Sequence, residues 1–82
     1  MSTKIYFEQE GVSDTDAEVI NLFYQDFDEV EKGAIIAEIE TSKVVVEIEA
    51  NQDGYIKNIA QLNGTIEVGD LIVVISEDVE EL

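Results

Sequence analysis

The sequence predicts an all-β domain, a flattened barrel or sandwich in which two half-sheets related by a quasi-twofold axis cover one core. Three observations lead there. Over most of the chain apolar and polar residues alternate with a period of two, as in Ala37-Glu38-Ile39-Glu40 and Val46-Glu47-Ile48-Glu49, the period that puts one set of side chains on one face of a strand. The apolar residues are largely β-branched, and such stiff side chains pack well on a pleated surface. The third observation is an internal repeat. Moving the sequence by 36 positions lays Val30, Glu31, Gly33, Ile35, Ile36 and Ile39 on Ile66, Glu67, Gly69, Leu71, Ile72 and Ile75.

Six strands follow in order: Lys4 to Phe7, Glu18 to Tyr24, Ile35 to Glu40, Val44 to Glu49, Tyr55 to Ile59 and Leu71 to Ser76. Breaks fall at Gly11, Gly33, Gly54, Gly64 and Gly69, a residue type that suits turns and bulges. No helical segment is required. Upstream, Val19, Ile20 and Phe23 fall on Tyr55, Ile56 and Ile59, and Gln25 on Gln61, so each half reads strand, loop, Val/Ile-Glu-x-Gly, strand. Two copies are too few for a stacked array, which needs about three or more repeats. Two half-sheets folded over one core suit them better. The first half alone continues through Glu40-Thr41-Ser42-Lys43 into another strand. Lys4 to Phe7 is expected to supply the missing strand of the second half, beside the C-terminal strand, where it covers an edge. The termini then meet away from the unique hairpin. A single domain is expected over residues 1–76, with 77–82 as an acidic tail or the start of a linker.

The unique hairpin fixes the position of one lysine. Directly opposed residues of an antiparallel pair share a face, so matching the apolar sets pairs Ile39 with Val46, Ala37 with Ile48 and Ile35 with Ala50. Thr41 then faces Val44, and Ser42-Lys43 form the tip. A slip of one residue would set Ala37 against Glu47 and mix the wet and buried faces. Two local features run against stability. Ser-Lys is a poor fit to the primed turns that two-residue hairpins favour, and Glu38 lies opposite Glu47, a like-charge pair. Local rules that fail together point to a working site. Taken alone, Lys43 reads as a solvated tip residue.

Composition limits the chemistry. The chain has 82 residues, 20 acidic side chains against four lysines, no histidine, no cysteine and a formal charge of -16. Such a charge opposes binding to nucleic acid or an anionic membrane, whose partners must neutralise phosphates. Without histidine or cysteine, the commonest general base, the thiol nucleophile and the ordinary zinc ligand sets are missing. The chain is therefore expected to be no enzyme by itself. At 45% apolar residues it has the composition of a folded chain. No apolar run approaches the about 18 residues of a membrane span, and the N-terminus lacks the layout of a secretion signal. The expected location is the cytoplasm, or the mitochondrial matrix if a transit peptide has been removed.

The stretch Glu31-Lys32-Gly33-Ala34-Ile35-Ile36-Ala37-Glu38-Ile39-Glu40-Thr41-Ser42-Lys43 strongly resembles the lipoyl-attachment motif of 2-oxo acid dehydrogenase complexes: Gly, a spacer, Ile-Glu-Thr-Asp-Lys, then a β-branched strand. The resemblance runs from Ile5 through Gly11-Val12-Ser13-Asp14 and Ala17-Glu18-Val19 to Gly69-Asp70-Leu71. It departs from the pattern at Ser42, where aspartate is commoner, and in Ala50-Asn51-Gln52-Asp53-Gly54, which lacks the usual proline. Carried over by position, it implies that the Lys43 amine is acylated by lipoic acid. Glu40 and Gly54 match positions that lipoylating enzymes use for recognition, and Thr41, Ser42 and Val44 flank the acceptor within the stretch such an enzyme would read. As bare residues, Glu40 is a solvated strand-end carboxylate and Gly54 a turn glycine.

The resemblance also implies that each of the two quasi-twofold-related sheets is four-stranded, and it implies a mechanism and partners. A lipoate ligase or lipoyl transferase loads the arm. A thiamine-diphosphate-dependent 2-oxo acid dehydrogenase reductively acylates it, an acyltransferase catalytic domain passes the acyl group to coenzyme A, and dihydrolipoyl dehydrogenase reoxidises the dithiol. The domain presents and is recognised, while the cofactor carries the reaction. The loop from Glu8 to Asp16, which family members use beside the lipoyl turn, carries Glu8, Glu10, Asp14 and Asp16 and is expected to dock an electropositive patch. A biotinyl carrier domain shares the fold, but its tip resembles Met-Lys-Met, whereas Met1 is the single methionine here. A glycine-cleavage carrier is a longer protein with added helices. An unmodified interaction module is the alternative from a different class.

Overall fold

A computed structural model describes residues 2–8 and 16–82. Among them are eight strands: β1 (Ser2–Tyr6), β2 (Asp16–Leu22), β3 (Glu29–Val30), β4 (Ile35–Glu40), β5 (Val45–Glu49), β6 (Gly54–Asn58), β7 (Thr65–Glu67) and β8 (Leu71–Ser76). They form two four-stranded antiparallel sheets, ordered β1-β8-β6-β3 and β5-β4-β2-β7. The all-β sandwich read from the periodicity is the observed fold, and the two sheets remain open rather than closing into one barrel.

Between the sheets lie Phe7, Val19, Val30, Ile36, Ile39, Ile56, Ile72, Val73 and Ile75, with Ala17, Ala37, Ile48, Ala50 and Ile66 completing the core. These are the inward sets of the alternating runs, so pairing and burial follow from one pattern. The 36-residue repeat reappears in the backbone. Phe23 N–H donates to Ile36 O at 3.1 Å and Ile59 N–H to Ile72 O at 2.8 Å. Ala34 N–H reaches Glu31 O at 3.0 Å, as Asp70 N–H reaches Glu67 O, and both Gly33 N–H to Ala50 O and Gly69 N–H to Phe7 O measure 2.8 Å. The positive φ values recur too, at Phe27 and Asn63 and at Gly33 and Gly69.

Several boundaries differ from the sequence reading. The strands β3 and β7 lie in segments read as loop, because two or three residues are too few for alternation to show. Each joins the sheet of the other half: Val30 pairs with Gly54 and Ile66 with Ala17. The halves are therefore interlocked, not two self-contained half-sheets. The second strand stops at Leu22 instead of Tyr24, because the chain turns there: Tyr24 O accepts from Asn58 Nδ2 at 2.8 Å and Phe27 N–H donates to Ile56 O at 2.6 Å. Ile35 pairs with Glu49, not Ala50, since a bulge between Ile35 and Ala37 shifts the register. That bulge buries the consecutive residues Ile36 and Ala37, and β8 buries Ile72 and Val73 in the same way. The described residues contain no α-helix, and the chain past β8 makes only a single turn. Val79–Glu81 form a 3-10 turn capped by Asp78, whose Oδ1 accepts from Glu80 N–H at 3.0 Å.

The first strand pairs with β8 from Ser2↔Ser76 to Tyr6↔Leu71, filling the place that the repeat left open. Thr3 Oγ1 also donates to the Gln52 side chain, tying this edge strand to the segment that leads into β6.

Candidate functional site

The hairpin β4-β5 has the register derived from the sequence at its functional end. Ile39 pairs with Val46, Glu38 with Glu47, Ala37 with Ile48 and Glu40 with Val45. Thr41 N–H donates to Val44 O at 2.8 Å, which leaves Ser42 and Lys43 as the two central residues. Both are exposed. Among the described residues only Phe27 and Asn63 combine a side chain beyond glycine with a positive φ, so the tip is not a primed turn. This agrees with the poor fit of Ser-Lys to a primed turn: neither residue adopts the left-handed geometry it would resist.

A side chain closes the turn instead. Thr41 is 6% exposed, and its Oγ1 accepts from Lys43 N–H at 3.2 Å and Val44 N–H at 3.1 Å while donating to Val44 O at 3.1 Å. Around this anchor Glu40, Ser42, Lys43, Val44 and Val45 all reach solvent. Residues Glu40 to Val45 frame an open depression of about 430 Å³. The lysine amine thus projects from a narrow, fixed turn with open space beside it. That arrangement suits a group joined to the amine by an amide, which needs access for an enzyme and room to swing.

The remaining predicted residues divide between the two ends of the molecule. Glu18 pairs with Glu40, so β2 begins beside the tip, and Asp16 pairs with Glu67. Phe7, which precedes Glu8, donates its N–H to Asp70 O at 2.8 Å. Both described ends of the acidic loop, Glu8 and Asp16, therefore reach the lysine end through the Glu67–Asp70 turn. Glu10 and Asp14 lie outside the described residues. Gly54 is at the other end: it pairs with Val30, and its neighbour Tyr55 pairs with Ser76. The length of β5, about 16 Å at 3.3 Å per residue, separates it from the tip. A Cβ on Gly54 would lie 2.4 Å from Ser76 O, so close backbone approach accounts for glycine there. The buried hydroxyl anchor left no mark in the residue pattern, since a threonine before a turn looks the same whether its oxygen faces water or the backbone.

Comparison with known proteins points the same way. A family model named for biotin and lipoyl, and described as biotin-requiring enzyme, matches residues 3–75. A dihydrolipoyllysine-residue acetyltransferase component of pyruvate dehydrogenase complex from Rickettsia conorii is 34% identical over 99% of this chain and 20% of its own length. A dihydrolipoyllysine-residue succinyltransferase component of 2-oxoglutarate dehydrogenase complex from Rickettsia felis is 36% identical over 94% of this chain and 20% of its own. Component 3 of the mitochondrial pyruvate dehydrogenase acetyltransferase from Arabidopsis thaliana is 31% identical over 83% of this chain and 13% of its own. The chain thus spans no more than about a fifth of the length of these relatives. With a family model matched over nearly all its strands and relatives that carry dihydrolipoyllysine in their names, the chain belongs to the biotin/lipoyl family.

Proposed function

We propose that this chain is a lipoyl carrier domain of a 2-oxo acid dehydrogenase complex, with lipoic acid joined to Lys43. The observation that supports it best is the exposed Lys43 on a two-residue tip whose register the hairpin dictates, in a chain of this family. The open depression and the exposed Val44 and Val45 fit a cofactor tethered outside the protein. When bound, lipoic acid supplies a dithiolane that carries acyl groups and electron pairs. The chain's own part is non-catalytic. Lys43 provides the amine, the hairpin holds it clear of both sheets, and Glu40, Ser42 and Val44 offer exposed groups for a lipoate ligase or lipoyl transferase to read. Gly54 contributes through the fold, by letting β6 approach β8.

In this reading the partners are a thiamine-diphosphate-dependent 2-oxo acid dehydrogenase, an acyltransferase catalytic domain and dihydrolipoyl dehydrogenase. A tether raises effective concentration at each site it can reach. Residues 1–76 form the carrier domain and 77–82 an acidic tail. The acidic loop Glu8 to Asp16 docks the dehydrogenase, supported by the anchoring of its ends beside the tip.

Intact-mass measurement after incubation with lipoate ligase, lipoate and ATP tests the assignment. A single lipoyl increment is expected, and Lys43→Ala should abolish it; an increment that survives this substitution, or a biotinyl increment after incubation with biotin ligase in its place, contradicts the reading. Replacing Glu8, Glu10, Asp14 and Asp16 by their amides should slow reductive acylation at low salt by about tenfold, the effect shrinking as salt rises. An unchanged rate removes the docking role.

A further inference from the structure

A threonine hydroxyl has one proton and two lone pairs, and at Thr41 all three are engaged within the turn beneath the lysine: Lys43 N–H at 3.2 Å, Val44 N–H at 3.1 Å and Val44 O at 3.1 Å. At 6% exposure the side chain offers almost nothing for another protein to touch. We infer that Thr41 is a positioning residue for the acylation of Lys43, acting through the backbone of Lys43 and Val44 instead of being read by the modifying enzyme. This rests on Lys43 being the acceptor.

Turn geometry gives the physical reason. The tip lacks the primed conformation whose twist suits a two-residue hairpin, so its closure depends on other bonds. Among them are the Thr41 N–H to Val44 O bond of 2.8 Å and the three that converge on Oγ1. The direction in which the lysine side chain leaves the hairpin is set by the backbone at Lys43, whose N–H is held by that oxygen. Threonine is also stiff at χ1, which keeps Oγ1 under the tip. Without the hydroxyl the two amide groups turn to water, the tip populates several conformers, and only a fraction presents the amine correctly. An apparent affinity falls by that fraction.

Thr41→Val keeps shape and removes the hydroxyl, and Thr41→Ser keeps the oxygen. With the 82-residue chain as substrate for lipoate ligase, Thr41→Val should raise KM about five- to tenfold with kcat within about twofold, and Thr41→Ser should remain within about twofold of wild type. Solvent exchange of the Lys43 and Val44 amides, followed by NMR on the unmodified chain, should quicken in the valine variant alone, with the Ile39 and Ile56 amides unchanged. A valine variant with wild-type KM overturns the inference. So does a raised KM without faster exchange, which would mean that the ligase reads the side chain directly. A wild-type chain that gains no lipoyl mass overturns the reading of Lys43 and this inference with it; a wild type that loads, with an unchanged KM in the valine variant, overturns this inference alone.

Discussion

Glu38 and Glu47 stand directly opposite on the outer side of the lysine-bearing hairpin, and Glu38 also accepts from Asn21 Nδ2 at 2.6 Å. Because Asn21 already serves Glu38, the repulsion is best relieved at Glu47. Glu47→Lys should stabilise the fold by about 0.5 kcal/mol in low-salt urea denaturation, with the gain decreasing as salt is added. A second residue works against its own backbone. Phe27 holds φ 73° and is 52% exposed, while Asn63, its counterpart after 36 positions, holds φ 65°. Asparagine enters this region far more readily than a bulky aromatic. Phe27→Asn should therefore raise the unfolding free energy by about 0.5–1 kcal/mol. A lowered denaturation midpoint would show that the half-exposed ring contributes more than the strain it causes.

At the level of elements, the two glycines that limit β4 and β6 make contrasting demands. Gly33 has φ 91° and, beyond its two chain neighbours, no heavy atom within 4 Å of where a Cβ would stand, whereas a Cβ at Gly54 would meet Ser76 O at 2.4 Å and Ser76 C at 2.8 Å. Both atoms are backbone of β8, a strand inside its sheet, and cannot rotate away. Gly33→Ala should cost about 1 kcal/mol, from conformation alone. Gly54→Ala must also part β6 from β8 and should cost about 2–3 kcal/mol, lowering the melting temperature by roughly 10 °C or more in a chain of this size. Equal losses in thermal denaturation would contradict the close-approach argument. The register of β4-β5 was legible in the sequence because a one-residue slip exposes an entire apolar face. The pairing of β3 with β6 and of β7 with β2 was not, since strands of two or three residues carry no period and their partners lie in the other half.

Over the whole molecule the charge is divided unevenly. The outer face of the sheet β5-β4-β2-β7 carries Asp16, Glu18, Glu38, Glu40, Glu47, Glu49 and Glu67, with Glu18 opposite Glu40 and Asp16 opposite Glu67. Lys4 and Lys57 lie on the other sheet, both paired to Val74. Self-repulsion opposes a compact state, and raising ionic strength from about 0.01 M to 0.15 M shortens the Debye length from about 30 Å to 8 Å. Screening is expected to raise the melting temperature by roughly 5 °C, equivalent to about 1 kcal/mol. A fall or no change in calorimetry would show that these carboxylates are already compensated.

The β class, the inward-facing residues, the repeat and the exposed place of Lys43 all follow from the order of residues. Each rests on a local rule: a period of two sorts side chains between faces, and matching apolar faces leaves Ser42-Lys43 at the tip. Packing between distant segments settled the rest. It interlocked the halves through β3 and β7, required glycine at position 54 by bringing Ser76 against it, and set the ends of the acidic loop at the lysine end. The Thr41 hydroxyl is the exception: local bonds to Lys43 and Val44 hold it under the tip, and an alternating pattern does not report them. Periodicity reports which face a side chain takes, but which backbone atoms it meets there is fixed only when the two sheets close on one core.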